Sequence, residues 1–161
     1  MISRRVVNAS PLIFLTKVGL LEVLHQQAVP VLVPDVVMAE ISSLGAGDTA
    51  VQAVQQAGWI RVVPAPPAPP SVTAWKLDDG ESSVIAVALQ HSGSMAILDD
   101  LAARRCAQAM RLPMQGTLGL VLVAKRIGLI NAVLPVVEDL EHAGMYMTAW
   151  LKTQILDAAG E

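Results

Sequence analysis

Four acidic residues stand where acids are not expected as ordinary surface: Glu40, Glu81, Asp99 and Asp100. Phosphodiester hydrolysis needs an activated water and relief of negative charge on the phosphate, and divalent metal ions supply both. Magnesium and manganese take hard oxygen ligands, mostly carboxylates and waters. A site for them therefore gathers several acids from separate segments. Glu40 lies among apolar neighbours, where an acid is costly unless partnered. Asp99 and Asp100 close the apolar run Ser94 to Leu98, and two adjacent acids there are hard to explain by structure alone. Arg104 and Arg105 follow Asp100 by about one helical turn. They fit either salt bridges to local acids or, at Arg104, a phosphate contact.

Each residue also has a structural reading. Asp78, Asp79 and Glu81 precede a helix, where acids favour the dipole and cap the end. Asp100 can cap a helix that starts at Leu101. His25, His91 and His142 show no ligand spacing and read as surface residues. Cys106 reads as a core residue. Gly116-Thr117-Leu118-Gly119 lacks the Lys-Ser/Thr ending of a phosphate-binding loop.

The elements that must position these residues alternate between strand and helix. Arg5 to Asn8 reads as a first strand, and Ser10 as the cap of a helix with Pro11 at its first position. Leu12, Leu15, Val18 and Leu21 recur at helical spacing, with Gly19 separating two short helices. Val29 to Val33 is a second strand. Asp35 opens a helix carrying Glu40, which Gly45 and Gly47 end. Thr49 to Ala57 is a helix and Trp59 to Val63 a third strand. Pro64 to Pro70 holds half of the chain's ten prolines and reads as a stiff extended connection. A helix opens at Gly80-Glu81-Ser82, Ser94 to Leu98 is a fourth strand, and Ala102 to Met110 is a helix. Leu112 to Gln115 is a short fifth strand. Helices Thr117–Ile127, Pro135–Ala143 and Ala149–Ala158 complete the chain.

This pattern predicts a three-layer α/β/α sandwich with a mostly parallel sheet, as one domain over residues 1–161. In such sheets the site lies beyond the carboxyl ends of the strands. Asn8, Asp99 and Asp100 fall at that edge.

The composition agrees. At 53% hydrophobic and 16% charged residues the chain is too apolar for disorder. Its Ala, Val and Leu suit buried parallel strands. The net charge of −3 excludes a globally basic nucleic-acid binder, though Arg104, Arg105, Arg111, Lys125 and Arg126 form a local basic group. No stretch is apolar and long enough for a membrane span, since Leu112 to Ala124 contains Pro113, Gln115 and Gly116. The N-terminal stretch is broken by Asn8, Ser10, Pro11, Thr16 and Lys17, which does not fit a secretory leader. Cys106 is the single cysteine, so no internal disulfide forms and a cytoplasmic setting is expected.

Several segments, in order, resemble PIN domains of the VapC toxin type. Val7-Asn8-Ala9-Ser10-Pro11-Leu12-Ile13 followed by Gly19-Leu20-Leu21 is similar to the family's opening. Pro34 to Ile41, with Glu40, is similar to its second acidic motif. Asp79-Gly80-Glu81 with Ile85-Ala86-Val87-Ala88 resembles the third, and Leu98-Asp99-Asp100-Leu101-Ala102-Ala103-Arg104 the fourth. Gly116-Thr117-Leu118-Gly119 through Ala124 to Ile130 is similar to a subgroup of PIN-like proteins. The resemblance implies an RNA-cleaving enzyme dependent on magnesium or manganese. The metal ligands it implies are Asn8, Glu40, Glu81 and Asp100, with Asp99 and Ser10 in support. It further implies that the chain is the toxin of a pair with an antitoxin protein. The habit of the family and an apolar surface point to a homodimer. Most PIN nucleases carry Asp where this chain has Asn8, so here the position offers a neutral carbonyl oxygen.

Two other readings stand beside this one. A PIN-like module without catalysis would keep the fold and bind RNA or a protein. A phosphoryl-receiver-like domain would want its paired acids after the first strand and a Lys after the fifth. This chain places the acid pair after the fourth strand and Gln115-Gly116 after the fifth.

Overall fold

The computed structural model describes residues 1–161. Five strands form one sheet: β1 Arg4–Val7, β2 Val31–Pro34, β3 Ile60–Val63, β4 Ser94–Ile97 and β5 Met114–Gln115. Their order is β3-β2-β1-β4-β5, and every neighbouring pair is parallel. The sheet is thus wholly parallel. Val7 lies opposite Ile97 at the carboxyl ends of β1 and β4. Val6, Val7, Val31, Val33, Ala96 and Ile97 are fully buried, as strands covered on both faces require.

Nine α-helices surround the sheet: α1 Ala9–Lys17, α2 Asp35–Ser42, α3 Thr49–Gln56, α4 Pro70–Thr73, α5 Asp79–Gln90, α6 Leu101–Ala109, α7 Thr117–Arg126, α8 Leu134–His142 and α9 Ala149–Ala159. A 3-10 segment covers Leu21–Ala28. Helix α5 lies across β1, β2 and β4 and also touches α2, α4 and α6. On α1 pack α2, α3 and α7. Right-handed crossovers between parallel strands put these helices on both faces, giving the expected α/β/α layering. The core is one cluster of 31 buried residues drawn from strands and helices along the whole chain. No helix is long and apolar enough to cross a membrane.

Local corrections have local causes. Strand β1 ends at Val7, so Asn8, extended at φ −82° and ψ 169°, takes the N-cap position expected of Ser10. Ser10 and Pro11 lie inside the first turn of α1. Pro11 is tolerated there because the first four N–H groups of a helix have no intrahelical acceptor. The second strand starts two residues later than expected and includes Pro34. The proline stretch is not extended to its end, for Pro70 opens the short α4. The fifth strand shrinks to Met114–Gln115. His25 and His91 are half-buried rather than surface residues, and the His25 ring is stacked on Trp59 at 5.0 Å between centroids and 9° between planes.

Candidate active site

From β1 the chain builds the sheet outward through β2 to β3, then returns to add β4 and β5 on the other side. The switch falls between β1 and β4, and a crevice opens beyond their carboxyl ends. The Asn8 N–H donates to the Ile97 carbonyl at 3.1 Å, which ties the two strand ends together. Asn8 itself is buried, at 8% exposure. Its side chain makes no capping bond, and its Oδ1 is buried without a partner. An orphaned buried acceptor costs about 1–3 kcal/mol, so the Asn8 oxygen has capacity to accept from a donor or to ligate a cation.

Asp99 and Asp100 follow β4 and divide the work. Both oxygens of Asp99 are taken by Thr117: Oδ1 accepts its backbone N–H at 2.7 Å, and Oδ2 accepts its hydroxyl at 2.7 Å. Thr117 is fully buried at the first position of α7, so Asp99 anchors that helix through charge-assisted bonds at the positive end of its dipole. Asp100 is exposed and caps α6, with Oδ2 accepting the Ala103 N–H at 3.0 Å. That bond leaves Oδ1 without a hydrogen-bond partner, and Asp100 lines the cavity described below.

Glu81 shows the same economy at the start of α5. Its Oε2 accepts the Asp78 N–H at 3.3 Å, the reciprocal half of a capping box, and Oε1 is uncommitted. Burial is the main cause that raises the Glu81 pKa, and the charge of Asp100 adds to it. The Asp78 N–H opposes the rise, while the charges of Asp78 and Glu40 add to it. Glu40 is raised too, by burial first and then by the charge of Asp78. The Gly80 N–H pulls it back and the charge of Asp79 raises it further. Glu81 therefore feels the charges of both Asp100 and Glu40.

Glu40 reaches this group because α2 packs against α5 at Gly80, a buried position. A Cβ built there would fall 3.0 Å from the Glu40 Cδ and 3.1 Å from its Oε2. A side chain there would make the exposed Glu40 carboxylate shift away from the helix start. As placed, no three His, Cys, Asp or Glu side chains form a closed metal-holding group. The donors are nonetheless the hard oxygens that magnesium and manganese take, and the partnerless Asn8 Oδ1 fits the same chemistry.

A cavity of about 600 Å³ opens on Glu81, Asp99 and Asp100, with Ser10 and Arg104 in its wall. Asn8 and Glu40 stand outside that wall. Arg104 is half-buried and forms no ion pair, because the two pairs in the molecule are Lys125–Glu161 and Lys152–Glu141. The salt-bridge reading of Arg104 and Arg105 therefore fails, and a cation without a partner faces the acidic crevice. Sequence reasoning missed three residues here. Gly80 was signalled only by standing between two acids. Thr117 gave no signal that it serves Asp99, 18 residues earlier. Tyr146, which also lines the cavity, sits in a segment without a motif.

Among curated proteins none matches the chain. A family model described as a PIN domain matches residues 4–161, nearly its whole length. The parallel α/β sheet, the acids beyond its switch point and this match agree: the chain belongs to the PIN-domain family, whose members are generally nucleases.

Proposed function

We propose that the chain is a metal-dependent endoribonuclease that hydrolyses RNA phosphodiester bonds. The observation that carries this reading is the cavity beyond the carboxyl end of β4, whose wall brings Glu81 from the start of α5 together with Asp99, Asp100 and Arg104. Asn8, Glu40, Glu81 and Asp100 would hold magnesium or manganese. When bound, the ion would lower the pKa of a water and offset charge on the phosphate.

The chain's own residues do the rest. Asp100 and Glu81 each commit one oxygen to a helix cap, which fixes the carboxylate plane and leaves the second oxygen for the site. Asp99 fixes α7 against the end of β4, so the cavity wall keeps its shape. Ser10 supports the first motif from α1. Arg104 contacts the phosphate and holds it over the carboxylates. Glu81 would act with the other carboxylates, holding the ion and orienting the attacking water.

The test is RNA cleavage by the purified protein in manganese. Asp100→Asn should reduce the rate about a hundred-fold or more, the size of loss seen when one charge-stabilising group is removed. Cleavage that survives in this variant, or that persists in EDTA, would sink the reading.

The resemblance to VapC-type toxins supports a finer reading, a cytoplasmic toxin held in check by an antitoxin protein and acting as a homodimer. Exposed apolar side chains such as Leu101 and Trp150 agree with a protein-binding surface. Growth arrest on expression, relieved by the neighbouring gene, tests the toxin; sedimentation tests the dimer. A second reading, a PIN module that binds RNA or a protein without cutting, draws on Asn8 in place of Asp. It predicts RNA binding with no manganese-dependent cleavage.

A further inference from the structure

A second cavity, of about 520 Å³, opens beside the first, between α7 and the end of α9. Gln115 and Gly119 line both cavities, so the two share a stretch of wall. A Cβ built on Gly119 would fall 2.9 Å from the Gln115 Cγ and 3.3 Å from its Nε2. The Gln115 side chain therefore lies against Gly119, and a larger residue there would crowd the passage.

The spacing along α7 gives the second cavity a direction. Gly119, Leu122 and Arg126 recur at intervals of three and four residues, which is one face of a helix. A helix rises about 1.5 Å per residue, so Arg126 stands about 10 Å beyond Gly119. The far end carries two cations of different standing. Lys125 Nζ donates to the Ala159 carbonyl at 2.6 Å and to the Glu161 carboxylate at 2.8 Å, so its charge is answered inside the chain. Arg126 is exposed and enters neither of the molecule's ion pairs. A basic residue in the last turn of a helix complements the dipole, but that role does not require a cavity.

We propose that Arg126 is a second phosphate subsite: RNA seated at the carboxylates passes Gln115 and Gly119 into the second cavity, where the guanidinium takes a phosphate further along the strand than the scissile one. This inference rests on the nuclease reading above and adds the course of the strand. Guanidinium offers a planar fork of donors that matches phosphate oxygens. The contact holds the backbone in register and reads no base. In a chain of net charge −3, single cations of this kind, rather than an overall field, hold the polyanion.

The experiment measures binding of labelled single-stranded RNA to the Asp100→Asn protein in EDTA, by fluorescence anisotropy over a range of salt. Arg126→Ala, added to that background, should weaken binding about ten-fold at low salt. The slope of log affinity against log salt should become shallower by about 0.7, the share of one phosphate contact on a single strand. The loss should be the same for oligomers of uridine and of adenosine. Arg126→Gln, which keeps a polar stem without the charge, should lose as much, and Arg126→Lys should retain most of the affinity. In a Gly119→Leu background, Arg126→Ala should cost much less, because the passage is filled; an unreduced cost would overturn the path. Unchanged affinity in Arg126→Ala or Arg126→Gln would overturn the subsite. So would a loss that leaves the salt slope as it was, or one confined to one of the two oligomers. A lower melting temperature with unaltered RNA affinity would also overturn it, and would leave Arg126 as a cation for the helix end. Cleavage by the wild-type protein in manganese reports on the nuclease reading separately. Cleavage with binding indifferent to Arg126 removes only the subsite, and a charge-dependent contact without cleavage removes only the nuclease.

Discussion

Two carboxylates in this molecule live under opposite rules. Glu161 accepts from Lys125 Nζ at 2.8 Å and from the backbone N–H groups of Val133 and Leu134 at 2.7 and 3.2 Å. Its pKa falls to about 2, with Lys125 the largest cause. Glu81 has one backbone donor at 3.3 Å and otherwise faces burial and like charges, which raise its pKa. The first is a clamp: it joins α7, the start of α8 and the end of α9, and everything it needs is inside the chain. The second is left uncompensated. A group whose pKa is perturbed by burial and like charges is a candidate for function, which is the reading proposed above for Glu81.

The largest effect that sharpens this contrast is expected at Gly80. Gly80→Ala would push a methyl group into the Glu40 carboxylate while α5 keeps its helical start. Misplacing a catalytic group by about 1 Å costs up to roughly a hundred-fold in rate. RNA cleavage should fall steeply while circular dichroism stays that of the wild type. An unchanged rate would show that the position of Glu40 does not matter, and the group of three would reduce to two.

At the clamp the expected readout is stability. Glu161→Gln loses the ion pair and weakens the bonds from Val133 and Leu134, so the melting temperature at pH 7 should fall by a few degrees, with cleavage unaffected. The sign with pH follows from the lowered pKa. The folded state holds the ionised form more strongly, so the clamp stabilises fully above the unfolded pKa of about 4.5. That stabilisation is lost as pH falls toward 2. Wild type and variant should therefore converge in acid; a difference that is constant from pH 7 to pH 2 would contradict the clamp.

Glu81→Gln should move stability the other way. Gln still accepts the Asp78 N–H, so the cap is kept and only the charge goes. A raised folded pKa means that the folded state binds the proton more tightly. Wild-type stability therefore falls as pH rises from about 4.5 through the folded value. In EDTA the variant should melt higher than wild type at pH 7 and equal to it below pH 4. In manganese the order should reverse, because a cation bound only by the folded state stabilises wild type by mass action. Equal melting at pH 7 in EDTA would show that Glu81 carries no electrostatic cost.

Much of this was legible in the sequence because it depends on short-range patterns. Apolar runs such as Ser94 to Leu98 declare buried parallel strands, and the strand-end rule then places Asn8 and Asp100 without any contact being known. What was hidden depends on packing between distant segments. The meeting of Glu40 with Gly80 exists only because α2 lies on α5. The pairing of Asp99 with Thr117 exists only because α7 starts beside the end of β4. His25 looked like a surface residue since no local pattern announces that Trp59 will lie flat against it. The N-cap moved from Ser10 to Asn8 because both residue types cap well, and only the end of β1 decides between them.

The smallest expected effect, and the sharpest on the identity of the site, is at Asn8. Its Oδ1 is buried without a partner at the switch point. If the oxygen serves a cation, Asn8→Asp adds a charge beside it, and charged oxygens hold hard cations more strongly than neutral ones. Manganese affinity should rise several-fold, and cleavage at limiting metal should rise with it. Without metal the same change should lower the melting temperature near pH 7, because a buried carboxylate is added near other negative charges. The two effects have opposite signs, so a general gain or loss of stability cannot imitate both. A capping role predicts something else. Asp caps helices about as well as Asn, and the substitution would then leave metal affinity where it was. Titration calorimetry of manganese into both proteins separates the two, and equal affinities would take Asn8 out of the metal site and leave its buried oxygen without a function.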